Sequence, residues 1–504
     1  MVSKIWFRSV VICAVVARWA MPAMAQKGGQ KPGSWDKLIA NLQRDDFDVT
    51  EGQATEFDPV GKYCDPDSFY PNALYANYGA PYTAAALGPS SRVEDILPDE
   101  VKNVVGDLPI IRIAPDEAVV LVGTTPPPEA YFSYQIYLAT RRIQLPDEEK
   151  PKTTLLLNSL GDTVNLQTIN TIGPDPFERP MVFIYTADRG IDARVRAALR
   201  RAGYPASIIN TIVIPSATLK LGFKPGSDTF LIANRNALWD DPDAGEAYVK
   251  KPTYRVLRAT PNPAAVLDPF PTAPLRVRGT GQTEIDLTPT LARLRERILD
   301  FYGSDYTTHE YITQTVAAEG NDYTQRKITT LGDTRDALYL GTGDLPEFGL
   351  EQAMTLKVGE FLIAYGLNHM ATGKATYVNL NTYTSGNSKM ALGSVYPDKL
   401  KNSAYQYLDW SDPDGELTYA YMISRDCEID GENSEPKPFC LELAVPIDGC
   451  TEKDGTPEGK PILTDESPLG IIFRNYLEPA TSIGAAFPEV VYDQVIKFTP
   501  VVSP

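Results

Sequence analysis

Tyr131-Phe132-Ser133-Tyr134-Gln135-Ile136-Tyr137-Leu138 is the stretch whose reading decides the fold. Phe132, Tyr134, Ile136 and Leu138 recur at every second position, with Ser133, Gln135 and Tyr137 between them. Side chains alternate across a strand, so this period of two sends one set to a core face. Short apolar runs rich in β-branched residues flank it at 110–113, 118–123, 153–157, 181–185, 208–214 and 229–233. A second group follows at 337–340, 354–358, 361–365, 375–383, 417–424, 440–445 and 471–476.

Two helices interrupt the strands. One follows Asp188 over 191–202, with Val195, Ala198, Leu199 and Ala202 on its apolar face and Gly203 placed to end it. The other spans 290–302, with Leu291, Leu294, Ile298 and Phe301 on one stripe. Many strands and few helices give an α+β class, predominantly β, built as two β-rich sandwich-like halves rather than a repeating βα sheet. Prolines 261, 263, 269, 271, 274 and 289 stiffen residues 261–289, read as a linker. The organisation expected is a leader 1–25, a tyrosine-rich N-terminal arm 26–105, a first β-rich domain 106–260 with one helix, and a second, 290–504.

The leader reading rests on three features. Lys4 and Arg8 give a positive start, Val10 to Ala17 is apolar, and Ala23-Met24-Ala25 is a small-x-small site before Gln26. That is the pattern of a secretory signal, and it is too short to span a bilayer. A secreted or periplasmic location follows, with no integral membrane segment once the signal is removed. Loss of Lys4, Arg8 and Arg18 leaves 44 basic against 65 acidic residues, so a net charge of −18 becomes −21. Such a chain repels nucleic acid and anionic membrane, and disfavours a polyanionic substrate unless a local basic cleft exists. Cys64, Cys427, Cys440 and Cys450 remain after the signal, an even number that suggests two disulfides in an oxidising compartment. Three pairings are open. Cys427 with Cys440 closes a short loop and leaves Cys64 for Cys450.

Standard catalytic signatures are missing from the sequence. There is no phosphate loop, no Gly-x-Ser-x-Gly elbow, no HExxH and no complete dinucleotide fingerprint. Only two histidines exist, His309 and His369. Imidazole exchanges protons readily near neutral pH, which makes them candidates. His369 lies with Asn368, Lys374 and Tyr377 on a polar, glycine-bearing connection between apolar runs. This set could abstract a proton, with Lys374 balancing the developing anion and Tyr377 relaying the proton. His309 and Arg335 are candidate substrate-binding residues. Asp426, Glu428 and Asp430 alternate before Gly431, like the opening of a calcium loop, although a complete loop would need an acid where Lys437 stands.

Several segments resemble an uncharacterised family of exported microbial proteins. They are Pro115-Asp116-Glu117 through Thr124-Thr125-Pro126-Pro127-Pro128 to Tyr131–Gln135, then Ser159-Leu160-Gly161-Asp162-Thr163, residues 368–379, and Arg474-Asn475-Tyr476-Leu477-Glu478-Pro479. The resemblance implies no activity. Besides a metal-dependent oxidase, which would need His309 and His369 close together, two function classes stay open. One is an exported lyase or hydrolase on a carbohydrate-like substrate, for which 27 tyrosines would offer stacking surfaces. The other is a non-catalytic extracellular binding or surface protein for a small-molecule or carbohydrate ligand, with calcium as a cofactor.

Overall fold

The computed structural model describes residues 33–65, 72–77, 79–94, 97–144, 149–317, 319–320, 329–386, 389–428, 437–443 and 463–501. The expected leader, Asp430 and Cys450 lie outside the described residues, as does the side chain of Cys64. Among the described residues, no helix is long and apolar enough to cross a membrane.

The alternating stretch belongs to one long strand of a ten-stranded sheet. In chain order its strands are β1 (Phe47–Phe57), β2 (Tyr82–Ala86), β3 (Ala118–Thr124), β4 (Glu129–Ile143), β5 (Lys152–Ser159), β6 (Val164–Asn165), β7 (Pro180–Thr186), β8 (Ile209–Val213), β9 (Thr229–Trp239) and β10 (Tyr254–Pro261). Their spatial order is β5-β4-β9-β2-β1-β10-β3-β7-β8, with β6 beside β4. Phe132, Tyr134, Ile136 and Leu138 enter one core with Val119, Leu121, Phe183 and Tyr185. Burying each such side chain contributes roughly 1.5–3 kcal/mol. The intervening residues are not solvent-facing, however. Ser133 and Gln135 are buried, and Tyr131 and Tyr137 enter two further cores on the opposite face. The period of two thus separates two interiors, and that second face carries the site described below.

The segment read as an arm supplies β1 and β2 to the middle of this sheet. Its Asp48, Thr50, Glu51, Gln53 and Glu56 mask the strand signal, because β1 is half-exposed along most of its length and held by backbone pairing to β2 and β10. Helix Trp35–Arg44 and helix Arg189–Arg201 cover the other end of the sheet through Leu38, Leu42, Ile191, Val195 and Leu199. Asp188 caps the second helix by accepting from the Ile191 amide at 2.9 Å.

The remaining strands make two more sheets. They are β11 (Tyr306–Tyr311), β12 (Gln314–Thr315), β13 (Ala337–Leu345), β14 (Leu350–Glu351), β15 (Phe361–Leu367), β16 (Tyr377–Thr384), β17 (Ala391–Val395), β18 (Thr418–Ser424), β19 (Cys440–Glu442), β20 (Leu469–Tyr476) and β21 (Gln494–Pro500). One sheet runs β11-β21-β15-β18-β19; the other runs β12-β13-β20-β16-β17, with β14 on β13. Leu338, Leu340, Leu380, Ile471 and Phe473 pack against Leu362, Ala364, Tyr421 and Val495 to form the core between them. Helix Thr288–Tyr302 closes the far side with Leu291, Leu294 and Ile298, while Phe301 is exposed. The opposite face of the six-stranded sheet, with Tyr339, Tyr377, Ile472 and Tyr476, packs on Tyr131 and Ala237 of the ten-stranded sheet. Residues 110–113 and 354–358 form no strand; Ile111 makes a single bridge to Phe230. Cys427 and Cys440 form a disulfide with Cα atoms 5.9 Å apart.

Candidate functional site

The residues singled out on the 368–379 connection are packed in separate polar clusters. His369 is 2% exposed. Its Nδ1 lies 2.9 Å from Glu284 Oε1, and its Nε2 faces Asp493 Oδ2 at 3.7 Å. Burial alone would depress the imidazole pKa; Glu284 and Asp493 outweigh burial and hold it at about 10. The cavity beside it is about 10 Å³, enough for one water. Asn368 turns the chain, its Oδ1 accepting from the Met370 amide at 3.3 Å. Lys374 Nζ donates to Glu478 at 2.9 Å and to Glu489 at 2.7 Å. Tyr377 belongs to another layer, stacked on Tyr476 with ring centroids 5.3 Å apart and accepting from Asn379 Nδ2 at 2.9 Å.

The other candidates are also placed apart. His309 is exposed on β11, edge-on to Tyr311. Arg335 is buried, donates to Asp162 at 2.8 Å and pairs with Glu319. Asp426 accepts from the Glu428 amide at 2.8 Å, as in an ordinary turn. Among the described residues, no group of three or more His, Cys, Asp or Glu side chains is placed to hold a metal ion. Many tyrosines that could stack on sugars are fully buried, Tyr131, Tyr134, Tyr185 and Tyr383 among them.

A different site lies where the ten-stranded and six-stranded sheets meet. Arg235, at the middle of β9, and Arg474, on β20, line one cavity of about 30 Å³. Both are buried, at 5% and 4% exposure. Arg235 donates to Tyr476 Oη at 2.9 Å, Tyr137 Oη at 3.3 Å and the Gly332 carbonyl at 2.6 Å. Its Nε has no partner. Arg474 donates from Nη2 to the Tyr75 carbonyl at 2.8 Å and lies against the rings of Tyr339 and Tyr383; its Nη1 has no partner.

Neither guanidinium forms an ion pair among the described residues. Asp333 lines the same cavity, but its oxygens accept from Ser159 N at 2.9 Å, Ser159 Oγ at 2.7 Å, Gly320 N at 2.9 Å and Thr330 Oγ1 at 2.7 Å. Two guanidinium charges therefore face at most one carboxylate charge. Burial pushes Tyr137 up to about 12. Burial also pushes Tyr476 upward, yet Arg235 and then Arg474 hold its hydroxyl below the ordinary tyrosine range.

Backbone geometry sets this cavity apart as well. Leu74, Tyr75, Leu157, Ala317 and Leu331 have φ between 46° and 60°, and all five line this cavity or the one that adjoins it. A bulky residue in the left-handed region costs on the order of 1–3 kcal/mol, and such residues collect at ligand sites. At Tyr75 the unusual backbone accompanies a carbonyl that accepts from Arg474. A carboxylate or similar anion matches what the cavity offers: unpaired charged donors in a tyrosine-lined space between two sheets.

Sequence reasoning passed over both arginines. The signal was present: Asn234-Arg235-Asn236 and Arg474-Asn475 each interrupt an otherwise apolar strand.

No family model matches the chain, and no curated protein matches it. Two of the solved structures that resemble it can be named. One is the VPA0106 protein from Vibrio parahaemolyticus, a structural-genomics target, 11% identical, with a TM-score of 0.36 over 84% of this chain and 90% of that one. The other is an uncharacterised protein from Burkholderia cenocepacia, 10% identical, with a TM-score of 0.33 over 91% of this chain and 86% of that one.

Proposed function

We propose that the protein is an exported binding protein for a small anion held between Arg235 and Arg474. One observation carries the reading: two buried guanidiniums from different sheets line one cavity, and each keeps an unpaired N–H. Leaving a charge buried and uncompensated costs several kcal/mol, so the arrangement favours a state in which an anion is present. The net negative charge of the whole chain disfavours polyanions at the surface, while a buried cationic cavity admits a single small one. The reading of a lyase or hydrolase on a carbohydrate-like substrate finds less support. The cavity at His369 has the size of one water, and both ends of the imidazole face carboxylates.

The test is thermal unfolding of the full chain in sodium acetate or sodium phosphate, at matched ionic strength, beside Arg474→Met. The wild type is expected to gain stability that rises with the logarithm of anion concentration above Kd, by about 2.7 kcal/mol at a hundredfold excess over Kd. Equal responses from wild type and variant would remove the reading. Export itself is checked by the mass of the mature N-terminus, expected at Gln26.

A further inference from the structure

Resting on the anion site proposed above, we infer that its ligand is a small amphiphile, a carboxylate head joined to a short apolar body. A second cavity of about 40 Å³ adjoins the first and shares Ala76, Tyr82, Arg235, Leu331 and Gly332 with it. Its chemistry differs sharply. Beyond Arg235 the walls are Phe57, Leu74, Leu157, Leu231 and Ala233, with the Tyr137 ring. Arg235 is the one charged side chain lining it among the described residues.

One face of β9 explains the join. Arg235 shares its face of β9 with Leu231, Ala233 and Ala237, because successive side chains alternate. Of that row, Leu231, Ala233 and Arg235 line the apolar cavity, so the guanidinium marks the point where a ligand's charge stops and its hydrocarbon begins. A head group seated at Arg235 and Arg474 leaves the apolar cavity in front of its first carbons. An inorganic anion would fill the head position and leave the rest without contacts. Head and body together keep the apolar walls out of water, which a small apolar group does at about 0.8 kcal/mol per methylene.

Isothermal titration of the full chain with sodium acetate, butyrate, hexanoate and phosphate, and with uncharged 1-hexanol, separates the possibilities. Hexanoate is expected to bind roughly tenfold or more tighter than acetate. Leu231→Phe, which fills the apolar cavity, is expected to lose that gain. Acetate or phosphate binding as tightly as hexanoate would overturn the amphiphile and leave the anion site standing. Hexanol binding as tightly as hexanoate would overturn the role of the carboxylate head. Binding of no anion to the wild type would overturn the anion site with it.

Discussion

Arg235 on β9 and Arg474 on β20 come from different sheets and share Tyr339, which accepts from Arg235 at 3.5 Å and lies under Arg474 with its centroid 5.8 Å away. A buried arginine that serves only structure is usually matched by a carboxylate. Arg258 shows this in the same molecule, donating to Glu117 at 3.0 Å. Arg235 and Arg474 have no such match among the described residues.

Replacing Arg474 by Met is therefore expected to leave the anion-free protein as stable as the wild type or more so. The substitution removes an uncompensated buried charge and one hydrogen bond to Tyr75, and keeps most of the volume. Urea unfolding in anion-poor buffer measures this. A loss above about 3 kcal/mol would show that Arg474 is structural.

His369 predicts a pH dependence. Its folded pKa of about 10 stands above the ordinary 6.5, so its contribution is complete below pH 6.5 and is lost as pH rises through about 10. Glu284 works in the opposite sense. Burial raises its pKa, but His369, Thr372 and the Val491 amide bring it below 4.5, so its contribution is present above that value and fades in acid. His369→Gln is expected to cost about 3 kcal/mol at pH 6 and to flatten the fall in stability between pH 7 and 10. Denaturation midpoints across that range decide; parallel curves for the two proteins would contradict the assignment.

Lys374 predicts a larger role in stability than in chemistry. It bridges Glu478 and Glu489, and its Nζ is the group nearest to neutralising both. Burial would raise the Glu489 pKa; Lys374 and the Thr280 and Gly281 amides hold it at about 2. Lys374→Met strands Glu478 in the interior and is expected to cost about 3 kcal/mol in urea unfolding. A change below about 1 kcal/mol would mean that solvent screens the cluster.

The Cys427–Cys440 disulfide closes a separation of 13 residues. Cross-links of that span stabilise by about 3 kcal/mol in the chain-entropy account. Adding reductant is expected to lower the unfolding midpoint of the wild type by more than that of a Cys427→Ser/Cys440→Ser protein, which keeps the expected Cys64–Cys450 bridge.

Much of the fold was legible in the sequence. Period-two patterning at 131–138 gave a β-rich α+β protein, and Asp188 with Gly203 framed the helix Arg189–Arg201. β1 was not legible, since its polar residues face partial solvent on both sides and its stability comes from backbone pairing. Helix Trp35–Arg44 was missed although Ser34 caps it by accepting from Lys37. For the site, weight went to residue type: histidine drew attention, and both His369 nitrogens proved to face carboxylates. Arg235 and Arg474 became visible only once two sheets set them against one cavity. A contact such as that of Arg235 with Tyr476, across 241 residues of sequence, is not encoded in any local window. An arginine inside an apolar strand is still a local signal, because a charge there needs a partner.

The most direct test of the central claim is a crystal structure of the full chain with 4-bromobenzoate, located by the anomalous scattering of bromine. The account predicts the carboxylate between Arg235 and Arg474 and the bromine in the cavity walled by Phe57, Leu157 and Leu231. Ordered water alone in both cavities, with the compound absent or bound elsewhere, would contradict it.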